Sequence, residues 1–275
     1  MAQDVTFLID LLTLEARMQI LPNVSYVADA SGKRAVQRCD FLAHPPFSDT
    51  PDGLFRSYLS PAYTATVKQV REWMEEAGMH CRIDAAGNLI GRYEGITPNA
   101  PALLIGSHLD SVKNAGKYDG TLGVILGIEA VASFHAQQKR FPFAIEVIGF
   151  GDEEGSRFPV SMLTSRAVAG SLGKLPDVQD AQGTSIQQAL QESGLDAARY
   201  LEAAYKPSRV LAYFEAHIEQ GPVLESTQHA VGLVTSIAAQ YRFKVTMKGM
   251  AGHAAHCPCI YAKMPWPLRL KPFPA

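Results

Sequence analysis

LLIGSHLDSVKNAGKYDGTLG, residues 103–123, is the stretch whose reading decides the fold. The run from Ala102 to Ile105 is short, apolar and of strand type, and it breaks at Gly106 and Ser107, so His108 and Asp110 stand at a strand's C-terminal end. With a period of two they point the same way. The imidazole can then take a metal while the carboxylate accepts the other ring N–H and fixes the tautomer. Asp119, between Gly116 and Gly120, sits on a loop tight enough to return beside His108. A helix from Thr121 to Gln138 follows, then a second apolar run, Phe143 to Phe150. Strand, helix, strand is a βαβ unit with its donors at the carboxyl edge of a parallel segment, hence an α/β fold.

The second run ends in Gly151, Asp152, Glu153, Glu154 and Gly155. Two adjacent carboxylates after a buried strand repel each other and lose hydration unless a cation or a proton sits between them. A third run, Val210 to Ala216, ends at His217 in the string EAHIEQGPVLE. Three strand ends thus offer His, Asp, Glu and His, donors suited to zinc or a similar divalent ion. For His108 and its neighbouring aspartates alone, a hydrogen-bonded turn is the alternative reading.

Further out, the 275 residues are 47% hydrophobic, enough for one large core or two smaller ones. The net charge of −2, with no basic run, argues against nucleic acid as a partner. Cys39 and Cys81 lack paired spacing, which fits a reduced cytoplasm, and no apolar stretch is long enough to span a membrane. Residues 1–37 read as an N-terminal extension. In it Phe7 to Leu14 contains Asp10 and lacks a basic start or a cleavage site, so a surface helix is expected and a signal peptide is not. A helix is expected from Gly32 to Leu42. Ser60-Pro61 caps another that ends at Gly78, and strands follow at Met79–Ile83 and Leu89–Tyr93. Helices are also expected at Thr184–Glu192 and Asp196–Tyr205, and an antiparallel strand over Gly232–Lys248. Arg157 and Arg166 read either as anion binders or as partners of local carboxylates.

Taken together, GSHLDSV, NAGKYDG, GFGDEEGSRFP, SRAVAG, EAHIEQGPVLE and GMAGHA resemble the amidohydrolase branch of the dinuclear-zinc M20 peptidase family, over roughly Arg38 to Ala254. That branch contains allantoate amidohydrolases, N-carbamoyl-L-amino-acid hydrolases and β-ureidopropionases. The resemblance implies a zinc-peptidase-like, mostly parallel sheet flanked by helices over residues 38–229, and an α+β lid or dimerisation domain starting at 230–254. It implies two divalent ions, Zn2+ or Mn2+, with His108 and His217 on one, Asp119 bridging both, Glu154 on the second and Glu153 as general base. Asp110 would orient His108. Gln220, Gln240 and Arg242 would stand near a small ureido substrate, and His253 would reach across a homodimer to the partner's oxyanion. The implied reaction is hydrolysis of a linear ureido C–N bond, with allantoate the first choice of substrate and N-carbamoyl amino acids the alternative.

After Ala254 the pattern is lost. The family expects GTTPM and an Ala-rich helix, whereas AHCPCIYAKMPWPLRLKPFPA carries Pro258, Pro265, Pro267, Pro272 and Pro274, which forbid a continuous helix. One allowed codon choice, read from the third base of codon 254, gives GTLPMHLRKDALAAAA. A one-base deletion near codon 255 is therefore expected, making 255–275 an aberrant tail and Cys257 and Cys259 no metal motif. By the same resemblance a distal histidine completes the second metal's ligands. This chain then has a full set for one ion, and an inactive remnant is the competing expectation to an active hydrolase.

Overall fold

Strand β4, Ala144–Phe150, is buried along its whole length, because it is paired on both sides and covered on both faces. The computed structural model describes residues 32–237. In sequence order the elements are α1 (Gly32–Phe41), α2 (Pro61–Glu76), β1 (His80–Ile83), β2 (Leu89–Tyr93), β3 (Ala102–His108), α3 (Thr121–Ala136) and β4. After β4 come α4 (Leu163–Val168), α5 (Ile186–Glu192), β5 (Val210–Phe214) and α6 (Val223–Ser226). The chain divides into two units, one ending at Gln220 and the other beginning at Gly221.

The sheet runs β1-β2-β4-β3-β5. β3 lies parallel to β4 and to β5, as the βαβ reading requires, whereas β2 pairs antiparallel with both β1 and β4. The sheet is therefore mixed: the Met79–Tyr93 hairpin, expected from its alternation, is added along the free side of β4. The register Gly106↔Ile148, Ser107↔Gly149, His108↔Phe150 brings the end of β3 level with the end of β4. His108 and the acidic loop after Phe150 consequently leave the sheet at one edge.

Helix α3 is apolar nearly all round and packs on β3 and β4. Its Gly127 permits the approach: a Cβ there would stand 3.0 Å from Ile105 and 3.1 Å from Val147. α2 begins as expected, with the Ser60 hydroxyl accepting the Tyr63 N–H at 3.1 Å and Pro61 in the first turn. α1 is fastened to α3 by charge. Glu129, 4% exposed, accepts from Arg34 Nε at 2.8 Å and from Arg38 Nη1 at 3.0 Å.

Two expected elements differ. Where an α-helix over Asp196–Tyr205 is expected, Ala197–Ala203 is a 3-10 helix started by the Asp196 side chain, which accepts the Ala198 N–H at 3.0 Å. Residues 231–237 form no strand, and the rest of the expected Gly232–Lys248 strand lies outside the described residues. The N-terminal segment to residue 31 and the 255–275 tail lie outside them too. Among the described residues no helix is long and apolar enough to cross a membrane.

Candidate metal centre

Three strand ends converge as their sequences imply: His108 closes β3, the Asp152–Glu154 loop follows β4, and His217 follows β5. His108 is 3% exposed, and its Nδ1 lies 2.9 Å from the main-chain oxygen of Asp110. A carbonyl can only accept, so Nδ1 carries the proton and Nε2 presents its lone pair. His217 repeats the device, with Nδ1 at 2.9 Å from the Ile218 carbonyl. Both free Nε2 atoms face one oxygen, Asp119 Oδ1, at 3.7 Å for His108 and 3.3 Å for His217.

Asp119 is held for this purpose. Its Oδ2 accepts the Gln220 amide at 2.9 Å, while Oδ1 is buried and has no hydrogen-bond partner among the described residues. Two imidazole lone pairs and a carboxylate oxygen pointing at one another repel unless something positive lies among them. His108, Asp119 and His217 each bring a ligand atom within 4.8 Å of the others, and so do His108, Glu153 and Glu154. The residues therefore fit a divalent ion, and two overlapping ligand clusters share His108. Burial opposes a proton on His108, but Asp110, Glu153 and Asp119 together outweigh it and raise the imidazole pKa.

Gly120 makes the His108–Asp119 approach possible. Its φ of +64° and ψ of −53° form a tight turn closed by the Thr121 N–H on the Asp119 carbonyl at 2.6 Å. A Cβ at Gly120 would lie 2.4 Å from Cδ2, Cε1 and Nε2 of His108.

The expected bond from the Asp110 carboxylate to His108 is replaced by the carbonyl contact. The carboxylate Oδ1 stands 3.8 Å from Nδ1 and is engaged elsewhere, with Oδ1 accepting the Glu153 N–H at 3.1 Å and Oδ2 the Glu154 N–H at 3.3 Å. Asp110 thus orients His108 with its main chain and holds the acidic loop with its side chain. Glu153 and Glu154 are both raised above the usual carboxylate range, first by burial and then by neighbouring acids, with His108 pulling the other way. Arg157 resolves toward the structural alternative: its Nε meets Asp180 at 3.2 Å and its Nη1 the Tyr58 carbonyl at 2.7 Å. Gln240, Arg242 and His253 lie outside the described residues.

Two acids escaped the sequence reading. Asp152, fully buried at a φ of +50°, has its pKa pushed up to about 7 by burial and then by Asp110. The DEE triplet was its signal, although only the last two carboxylates look like site residues. Glu215 ties β5 to β3, accepting from Ser107 Oγ at 2.7 Å and Tyr213 OH at 2.9 Å.

This geometry defines a class: a mixed α/β sheet that gathers candidate metal ligands from three strand ends at one edge. Residues 104–264 match the model of peptidase family M20/M25/M40, and the chain belongs to that family, in its hydantoinase/carbamoylase branch. Allantoate deiminase 1 of Glycine max is 43% identical over 216 residues, 77% of this chain and 45% of the relative. An N-carbamoyl-L-amino acid amidohydrolase of Geobacillus stearothermophilus is 47% identical over 197 residues, 71% and 48% of the two chains. Among solved structures, a hydantoinase/carbamoylase family amidase from Burkholderia ambifaria superposes with a TM-score of 0.66 at 31% identity, covering 84% of this chain and 56% of that one. The chain spans about half the length of the curated relatives it matches.

Proposed function

We propose that this chain carries the metal-binding half of an amidohydrolase that cleaves a linear ureido C–N bond, with allantoate as substrate. The observation that carries the proposal is the unpartnered Asp119 Oδ1 facing the Nε2 atoms of His108 and His217. His108, His217 and Asp119 would hold one divalent ion, Zn2+ or Mn2+, and Glu154 together with Asp119 would hold a second. Such ions, when bound, polarise the ureido carbonyl and lower the pKa of water.

Glu153 acts as general base. Its raised pKa and its place beside His108 suit it to take the proton of the attacking water. As the water oxygen joins the ureido carbon and the C–N bond breaks, Glu153 passes that proton to the departing nitrogen, which leaves as ammonia. Asp110 keeps His108 in the Nδ1–H tautomer through its carbonyl and keeps Glu153 in place through its carboxylate. Gln220 holds Asp119 with Oδ1 free. His253, Gln240 and Arg242 complete the proposal as groups for the oxyanion and substrate, His253 acting on a second copy in a homodimer.

N-carbamoyl-L-amino acids are the second reading, supported by the 47% identity to the Geobacillus relative. The experiment is ammonia release by the purified full chain, loaded with Zn2+ or Mn2+, from allantoate and from a panel of N-carbamoyl-L-amino acids, beside Glu153→Gln. Turnover of allantoate above the panel, lowered roughly a hundredfold or more in Glu153→Gln, is expected. Panel turnover above allantoate selects the second reading. No turnover of either by metal-loaded chain overturns both and leaves the remnant expectation standing.

A further inference from the structure

Arg56 is 1% exposed, and its guanidinium touches no carboxylate among the described residues. Its Nε donates to the Phe47 carbonyl at 3.0 Å, its Nη2 to the Leu42 carbonyl at 2.6 Å, and its Nη1 to the Leu109 carbonyl at 2.8 Å and the Thr121 hydroxyl at 3.4 Å. A buried cation satisfied only by neutral oxygens still needs an opposite charge within its field. The largest influence favouring its charged form is Asp110, which is fully buried and whose carboxylate meets the main-chain N–H groups of Glu153 and Glu154.

The connection is also mechanical. The Arg56 N–H donates to Ser111 Oγ at 3.0 Å, and the Arg56 carbonyl accepts the Ser111 N–H at 2.9 Å. Arg56 therefore grips Asp110 from both sides, through Leu109 by its side chain and through Ser111 by its backbone. Asp110 in turn sets the His108 tautomer and the Glu153–Glu154 amides. The Thr121 contact extends the grip to the far end of the Asp119 turn.

We propose that Arg56 is a positioning residue for the metal centre, acting through Asp110 to hold both His108 and the Glu153–Glu154 loop in their ligating arrangement. The proposal rests on the metal-site reading above. A residue that only bolted the 42–56 segment to the sheet would leave the loop after β4 unmoved.

The test is amide hydrogen exchange on the metal-free full chain, followed by Co2+ titration with the visible absorption spectrum recorded, for the parent, Arg56→Met and Arg56→Lys. Arg56→Met is expected to speed exchange at Glu153 and Glu154 at least about tenfold relative to β4, to weaken Co2+ binding by about ten- to a hundredfold, and to shift its spectrum. Arg56→Lys keeps the charge and recovers part of each. A folded Arg56→Met whose faster exchange is confined to residues 42–56, with parental Co2+ binding, overturns the proposal. If Arg56→Met does not fold, Ser111→Ala removes one grip alone; faster exchange at Glu153 and Glu154 supports the proposal and unchanged exchange overturns it. A parent that binds no Co2+ overturns the metal reading, while the exchange data still decide the coupling from Arg56 to the acidic loop.

Discussion

Replacing Gly120 by alanine separates a metal site from an ordinary turn. The added Cβ would sit 2.4 Å from three atoms of the His108 ring, where ordinary contact begins at 3.4 Å, so the ring must withdraw by 1.0 Å or the turn must open. The turn resists, because the φ of +64° that alanine would have to keep costs a non-glycine residue about 1–3 kcal/mol. His108 has little room to yield, being 3% exposed and tied by Nδ1 to the Asp110 carbonyl. Metal–ligand distances tolerate only about 0.2 Å, so a displacement of this size removes a ligand. Gly120→Ala is expected to weaken Zn2+ binding at least about a hundredfold, beyond the loss usual for an outer-shell change. It should lower the metal-free chain's stability by at least the backbone cost, with the cost of displacing the buried His108 ring added to it. Calorimetric titration gives the first quantity and urea unfolding of the metal-free chain the second. A folded Gly120→Ala with Zn2+ affinity within about threefold of the parent, against the hundredfold loss expected, would refute the reasoning.

Asp152, pushed up to about 7, keeps a proton in the folded chain that the unfolded chain releases near the usual carboxylate value of about 4. Its contribution is therefore present below that value and lost as pH rises toward 7, at up to about 1.4 kcal/mol per pH unit. Urea unfolding across pH 4 to 8 should show Asp152→Asn flattening this fall, and identical pH profiles for variant and parent would contradict the assignment. Glu129→Gln, which strips the charge from the carboxylate shared by Arg34 and Arg38, should cost about 2–4 kcal/mol and loosen α1, read by thermal unfolding and by proteolysis near Phe41. Burial pushes the Cys39 thiol up to about 12, so mass mapping after a thiol reagent at neutral pH should find it modified only on unfolding.

His108, the acidic triplet and His217, the candidate ligands at the strand ends, were legible because each follows an apolar run. The apolar runs of β3 and β4 give way at Gly106 and Gly151, so the polar residues that follow, among them His108 and the acidic triplet, had to emerge at one sheet edge. α3 was equally plain, since Gly120 breaks the chain before a long, mostly apolar run. The antiparallel addition of β2 to β4 was not legible, because β2 matches either neighbour by pattern and long-range pairing decides between them. Arg56 hid in FRSYL, where a lone arginine in a loop reads as solvated, and only the carbonyls of Leu42, Phe47 and Leu109 meeting around it show its place. Asp110 was found by spacing, yet its carboxylate and carbonyl exchange the roles that spacing suggests, because the acidic loop's amides compete for the carboxylate.

The account stands most directly on where a metal binds. Crystals of the full chain grown with Zn2+ and measured at the zinc absorption edge should show an anomalous peak about 2.0–2.2 Å from the Nε2 atoms of His108 and His217 and from an Asp119 oxygen. Scattering absent from that position at saturating Zn2+, or a zinc held by other residues while these three bind none, would contradict the metal centre and the hydrolysis built on it.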